Sequence, residues 1–144
     1  DADLKTLREL HRRLVSNYGN APYFRDLGAV LHDRDAMLAI LHKAAADPAY
    51  RGEYEVWYLA DALGDVDLAA AELRKSMEGM QGFKEGHMSY GSYWTLWLAP
   101  YSGLRGHPEF KKLLIETGLA DYWRQTGKWG DGCKPVGADD FQCQ

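Results

Sequence analysis

A segment near residue 31 returns 32 positions later without a gap. Leu31, Asp33, Asp35, Leu41 and Lys43 reappear as Leu63, Asp65, Asp67, Leu73 and Lys75. Each copy follows an aromatic, helix-like stretch and reads as a turn followed by an amphipathic helix. One such unit cannot bury its own apolar face, so the chain must stack antiparallel helix hairpins. Stacked arrays of this kind serve more often as binding surfaces than as reaction centres.

Size and charge narrow the function. At 144 residues the chain fits one domain, long enough to bury roughly 68% of its unfolded surface without a metal or a disulfide. Apolar residues make up 46% and charged residues 26%, an ordinary globular mixture. A formal charge of -4 argues against nucleic acid, which demands clustered Lys and Arg. The densest basic groups are Arg12-Arg13 and Lys111-Lys112, both on predicted solvated helix faces. No apolar run approaches the ~20 residues of a membrane span, and no signal peptide is evident. The chain opens at Asp1 already in helical register, which predicts a piece of a longer protein, most simply its C-terminal domain.

Periodicity and punctuation divide the chain. A first helix is predicted over 3–18, with Leu4, Leu7, Leu14 and Tyr18 on one stripe. Pro22 opens a second helix that runs to about Leu31. Asp33 caps a third, striped by Met37, Leu38, Leu41, Ala44 and Ala45 and stopped at Asp47-Pro48. The next hairpin pairs a helix over about 52–63 with one over 66–78. Gly64-Asp65 forms the turn, Asp65 the cap, and Val66, Ala69, Ala70, Leu73 and Met77 the inward face. Gly79 is the expected C′ residue. Met80–Gly86 reads as a loop, followed by the aromatic helix SYGSYWTLWLAPY. His107-Pro108 opens a helix with Phe110, Leu113 and Leu114 inward. Gly118 ends it, and Leu119–Gln125 forms a short last helix. Beyond Gly127 no helical period and no strand alternation is evident. The expected fold is therefore all-α, with a helical array over 1–126 and an irregular tail over 127–144. That tail is expected to fold back as a cap, closed by Tyr122, Trp123 and Trp129.

The segment WYLADALGDVDLAAAELRKSM resembles a tetratricopeptide repeat. Gly64-Asp65, Ala69 and Leu73 match that family's turn, small residue and later apolar position. Trp57 stands where a small residue is usual, and Ser76 where Ala is common. The first copy departs further, with His32 at the turn and Met37 at the small position. A third copy from Tyr90 keeps only its first helix. The resemblance covers about residues 20–117 and implies a short right-handed superhelical array. A second resemblance covers the end. LR-x-HP-x-FKKLL, then GL-x-DYWR and two late cysteines, is similar to the closing segment of bacterial tetratricopeptide proteins. These include membrane-anchored transcription regulators and adenylate-cyclase-related signalling proteins. It implies the terminal domain of a larger signalling or regulatory chain.

Such arrays hold peptides on the concave face of their first helices. The resemblance places Tyr54, Tyr58 and Asp61 there, with Tyr90 and Trp94 on the following hairpin. Trp57 and Trp97 are expected in the core. Aromatic side chains offer large contact area at low entropy cost, which suits a groove. Cys133 and Cys143 leave two alternatives open. A disulfide would stabilise by roughly 3 kcal/mol through loop entropy and would favour an oxidising, periplasm-like space. Two free thiols would fit a cytoplasmic tail. Their spacing matches no zinc pattern. His11, His32 and His42 lack metal-ligand spacing. Asp33-x-Asp35 and Asp65-x-Asp67 fit helix caps better than calcium loops. No serine sits in a nucleophile elbow, and no glycine loop cradles phosphate. The expected function is thus a non-catalytic module without a cofactor, binding a protein or peptide. The alternative is a small-molecule sensor with a pocket lined by aromatics of Tyr90–Tyr101.

Overall fold

The computed structural model describes residues 21–52, 55–80, 82–83, 96 and 102–144, with Glu9 and Arg12 before them. Eight helices and one two-stranded sheet make up these residues. The helices are α1 Pro22–Ala29, α2 Arg34–Ala46, α3 Pro48–Arg51, α4 Trp57–Ala62, α5 Val66–Glu78, α6 Ser102–Gly106, α7 Pro108–Glu116 and α8 Leu119–Thr126. The strands are β1 Cys133–Val136 and β2 Asp140–Cys143. The protein is mostly helical, as its periodicity predicts. The predicted helix over 3–18 and the aromatic helix after Met88 lie outside the described residues, apart from Glu9 and Arg12 in the first and Leu96 in the second, which is buried.

The sequence echo corresponds to a repeated local device. Asp33 accepts from the Ala36 amide, and Asp65 from the Leu68 amide, both at 3.0 Å. Each carboxylate takes up one of the amides that a helix start leaves without a partner. Both helices then run for 13 residues, with Asp35 and Asp67 in their first turns. Leu41 and Leu73, the paired apolar positions, are fully buried. On α5 the inward face is Ala69, Ala70, Leu73 and Met77, while Val66 is only half-buried. Gly64 makes the preceding turn at φ +79°, a backbone state that side chains resist. Gly79 does not use that freedom. It ends α5 in right-handed geometry, at φ -76°, with its amide on the Lys75 carbonyl. The last turn closes without the expected left-handed residue.

Polar links tie neighbouring hairpins together. Arg34 Nε donates to the Leu63 carbonyl at 2.7 Å, filling an open acceptor at the end of α4. His42 Nε2 meets the second oxygen of Asp65 at 2.8 Å, so one carboxylate caps α5 and holds α2. His107 Nε2 meets Asp67 at 3.1 Å in the same manner, reaching from the start of α7. Arg74 binds Glu109 and Glu116, fastening α5 to α7. Tyr50 donates to Asp26, joining α3 to α1. Burial and then that hydrogen bond push its hydroxyl up to about 12, so it remains a donor. At the start of α6, a Cβ on Gly103 would come within 3.0 Å of Val66, so glycine permits the close approach to α5.

The tail departs from expectation. Residues 127–144 hold an antiparallel hairpin, with Cys133 opposite Cys143 and Val136 opposite Asp140. Only β2 alternates, with Phe141 and Cys143 inward, while β1 is exposed after Cys133. Four-residue strands with one apolar face between them carry too little pattern to register. Phe141 is 1% exposed and lies against Trp123 and Trp129. Tyr122, expected in this cluster, points outward at 54% exposure.

Candidate functional site

The end of α3 and one face of α5 enclose an open groove of about 400 Å³. Glu72, Lys75, Ser76 and Gly79 stand at helical spacing beside the buried stripe of α5. Arg51 and Gly52 come from the end of α3, Glu55 from the segment before α4, and Met80 from beyond α5. Glu72 is 2% exposed. A carboxylate that deep is costly unless both oxygens are satisfied. Arg51 Nη1 donates to one oxygen at 3.1 Å, and Lys75 Nζ to the other at 2.5 Å. Ser76 Oγ donates to Glu55 Oε1 at 3.1 Å. The lining therefore carries two cations and two carboxylates.

Tyr58 stands on α4 at 37% exposure, its ring edge-on to Trp57 at 5.9 Å. Burial, then the charge of Glu55, raises its hydroxyl above the ordinary tyrosine value. Tyr58 is not among the residues that line the groove, which Glu55 does line. Asp61 is placed differently from its expected groove position: it is 5% exposed. Its Oδ1 accepts from the Leu104 amide at 3.1 Å, linking α4 to α6. Among the described residues its Oδ2 has no hydrogen-bond partner, nor has the buried Trp57 Nε1. Burial raises the Asp61 carboxyl above its ordinary value, opposed by the Leu104 amide and by the Arg105 charge. An i, i+7 spacing from Tyr54 does not reveal that α6 packs over this position. Trp57 is buried as expected. Tyr54, Tyr90 and Trp94 lie outside the described residues.

A second cleft of about 320 Å³ runs between β2 and the α6–α7 junction, lined in part by Arg105, His107, Lys111 and Phe141. Much of its charge is already committed. Lys111 pairs with Asp140 at 2.5 Å. The His107 ring accepts from the Glu109 amide and meets Asp67 through its other nitrogen. Beside this cleft the Cys133 and Cys143 sulfurs lie at bonding distance, 1.98 Å. Among the described residues no three His, Cys, Asp or Glu side chains converge on a metal position. Nor is any helix there long and apolar enough to cross a membrane.

Sequence reasoning missed Arg51, Glu55, Glu72 and Lys75 as site residues. The available signal was Glu72, a charge one position before Leu73 on the inward stripe of α5. Its burial depends on α3, which periodicity does not bring near. Compared with family models, curated proteins and solved structures, the chain matches none of them.

Proposed function

We propose that this chain is a non-catalytic interaction module. In this reading it is a short tetratricopeptide-like array of antiparallel hairpins, the C-terminal domain of a larger bacterial signalling or regulatory protein. It holds a peptide segment or partner domain. The observation that supports this most is the open groove beside α5, with its mixed charge; Tyr58 adds an exposed aromatic ring on α4. An aromatic surface beside fixed charges of both signs suits recognition of a polar segment. The identically capped, 13-residue helices α2 and α5 support the repeat reading. The Cys133–Cys143 pairing is compatible with an oxidising, extracytoplasmic place of action.

The test is to pan the whole chain against a random-sequence displayed peptide library. Peptides should be enriched, and Tyr58→Ala should weaken their binding about tenfold with helicity and melting unchanged. A folded protein that enriches no peptide would overturn the proposal. A Tyr58→Ala variant that unfolds would move Tyr58 from the binding surface to the core.

A further inference from the structure

The polar atoms of the groove are unequally used. Glu72 is buried, with a cation on each oxygen. Its two partners are not. Among the described residues Arg51 and Lys75 each give one hydrogen bond, to Glu72, and their head groups carry further donors. Both remain open to water, with side chains 29% and 60% exposed. Elsewhere on the lining Glu55 takes the Ser76 hydroxyl on Oε1, which leaves Oε2 as an acceptor. Met80 adds an apolar surface.

The sign of these groups selects a ligand. A simple anion would meet the spare donors but also Glu55. A simple cation would meet Glu55 but also Arg51 and Lys75. A net-neutral molecule with separate charges satisfies both ends. A volume of about 400 Å³ lies in the range of small-ligand sites. We infer that the groove binds a small zwitterion, an amino acid or short peptide, with its carboxylate on Arg51 and Lys75 and its ammonium on Glu55. Glu72 is then a positioning residue, holding the two cations side by side from beneath. This inference rests on the proposed role of the groove as a binding surface.

The experiment is calorimetry and thermal shift on the intact chain. The probes are the common free amino acids and L-alanyl-L-alanine, each compared with its N-acetyl and C-amide forms. A zwitterion should raise the melting temperature by mass action. Blocking either end should weaken binding about tenfold or more, since a fixed charge loses its partner. Arg51→Gln should abolish the preference for a free carboxylate, and Glu55→Gln the preference for a free amine. Comparing free amino acids with the dipeptide identifies the source of the zwitterion. Silence from every probe on folded protein would overturn the inference, as would equal binding of free and blocked forms. If library peptides still bind in a Tyr58-dependent way while the zwitterions are silent, this inference falls and the interaction module stands.

Discussion

The α4–α5 hairpin and the β1–β2 hairpin are held by different physics. In the first, each helix satisfies its own backbone, and the small residues Ala60, Ala69 and Ala70 are buried in the contact region. Single carboxylates finish the ends, as Asp65 does at Leu68. In the second, two four-residue strands expose most of their length. An isolated hairpin is marginal in water, so this one is fastened from outside. The Cys133–Cys143 pair closes its open end. Phe141 anchors it between two tryptophans. Lys111 and Arg124 hold Asp140 and the Asp139 carbonyl near its turn. A helix pair thus spreads its stability over many small contacts, while a short sheet concentrates it in a few.

That contrast can be broken most sharply at Phe141. Phe141→Ala should cost about 3–5 kcal/mol, read as a lower denaturation midpoint with lost amide protection over 133–143. Reducing the Cys133–Cys143 pair comes next, at about 3 kcal/mol. Hydrogen exchange should then rise in β1 and β2 while the α5 amides stay protected. Equal loss in both regions would remove the contrast. Removing one α5 cap by Asp65→Ala should cost about 1 kcal/mol, and somewhat more than Asp33→Ala, because Asp65 also holds His42. Thermal melts of the two variants make that comparison.

The smallest expected effect concerns Asp61, whose folded carboxyl lies above its ordinary value. Below about pH 3 it is protonated in both folded and unfolded chains. As pH rises through the carboxylate range, the unfolded chain loses the proton first, so this group's contribution to stability falls. The fall is complete above the raised value. Asp61→Asn should flatten that part of the pH–stability curve and stabilise the protein more at neutral pH than in acid. An unchanged curve would mean that Leu104 and Arg105 fully compensate the burial.

Much of the helical half was legible residue by residue. Asp33 and Asp65 cap the helices they were expected to cap, and α7 opens at His107-Pro108 as expected, because helix starts depend on a few consecutive residues. The bounds of α5 follow from Asp65 before it and the end of its apolar stripe. The sheet was not legible. Phe141 and Cys143 supply only two inward positions on β2, too few to distinguish alternation from chance. The groove was less legible still, since Arg51 and Glu72 lie 21 positions apart and share no period.

Sequence alone therefore determined the helical class, the repeated cap and the buried stripe, since each follows from backbone geometry and nearest neighbours along the chain. Tertiary structure decided the rest. It made Asp61 an interior link to α6 rather than a groove residue, turned Tyr122 outward, and placed Arg51 on Glu72. Burial and charge pairing depend on which distant segments meet, and a one-dimensional pattern carries no term for that meeting.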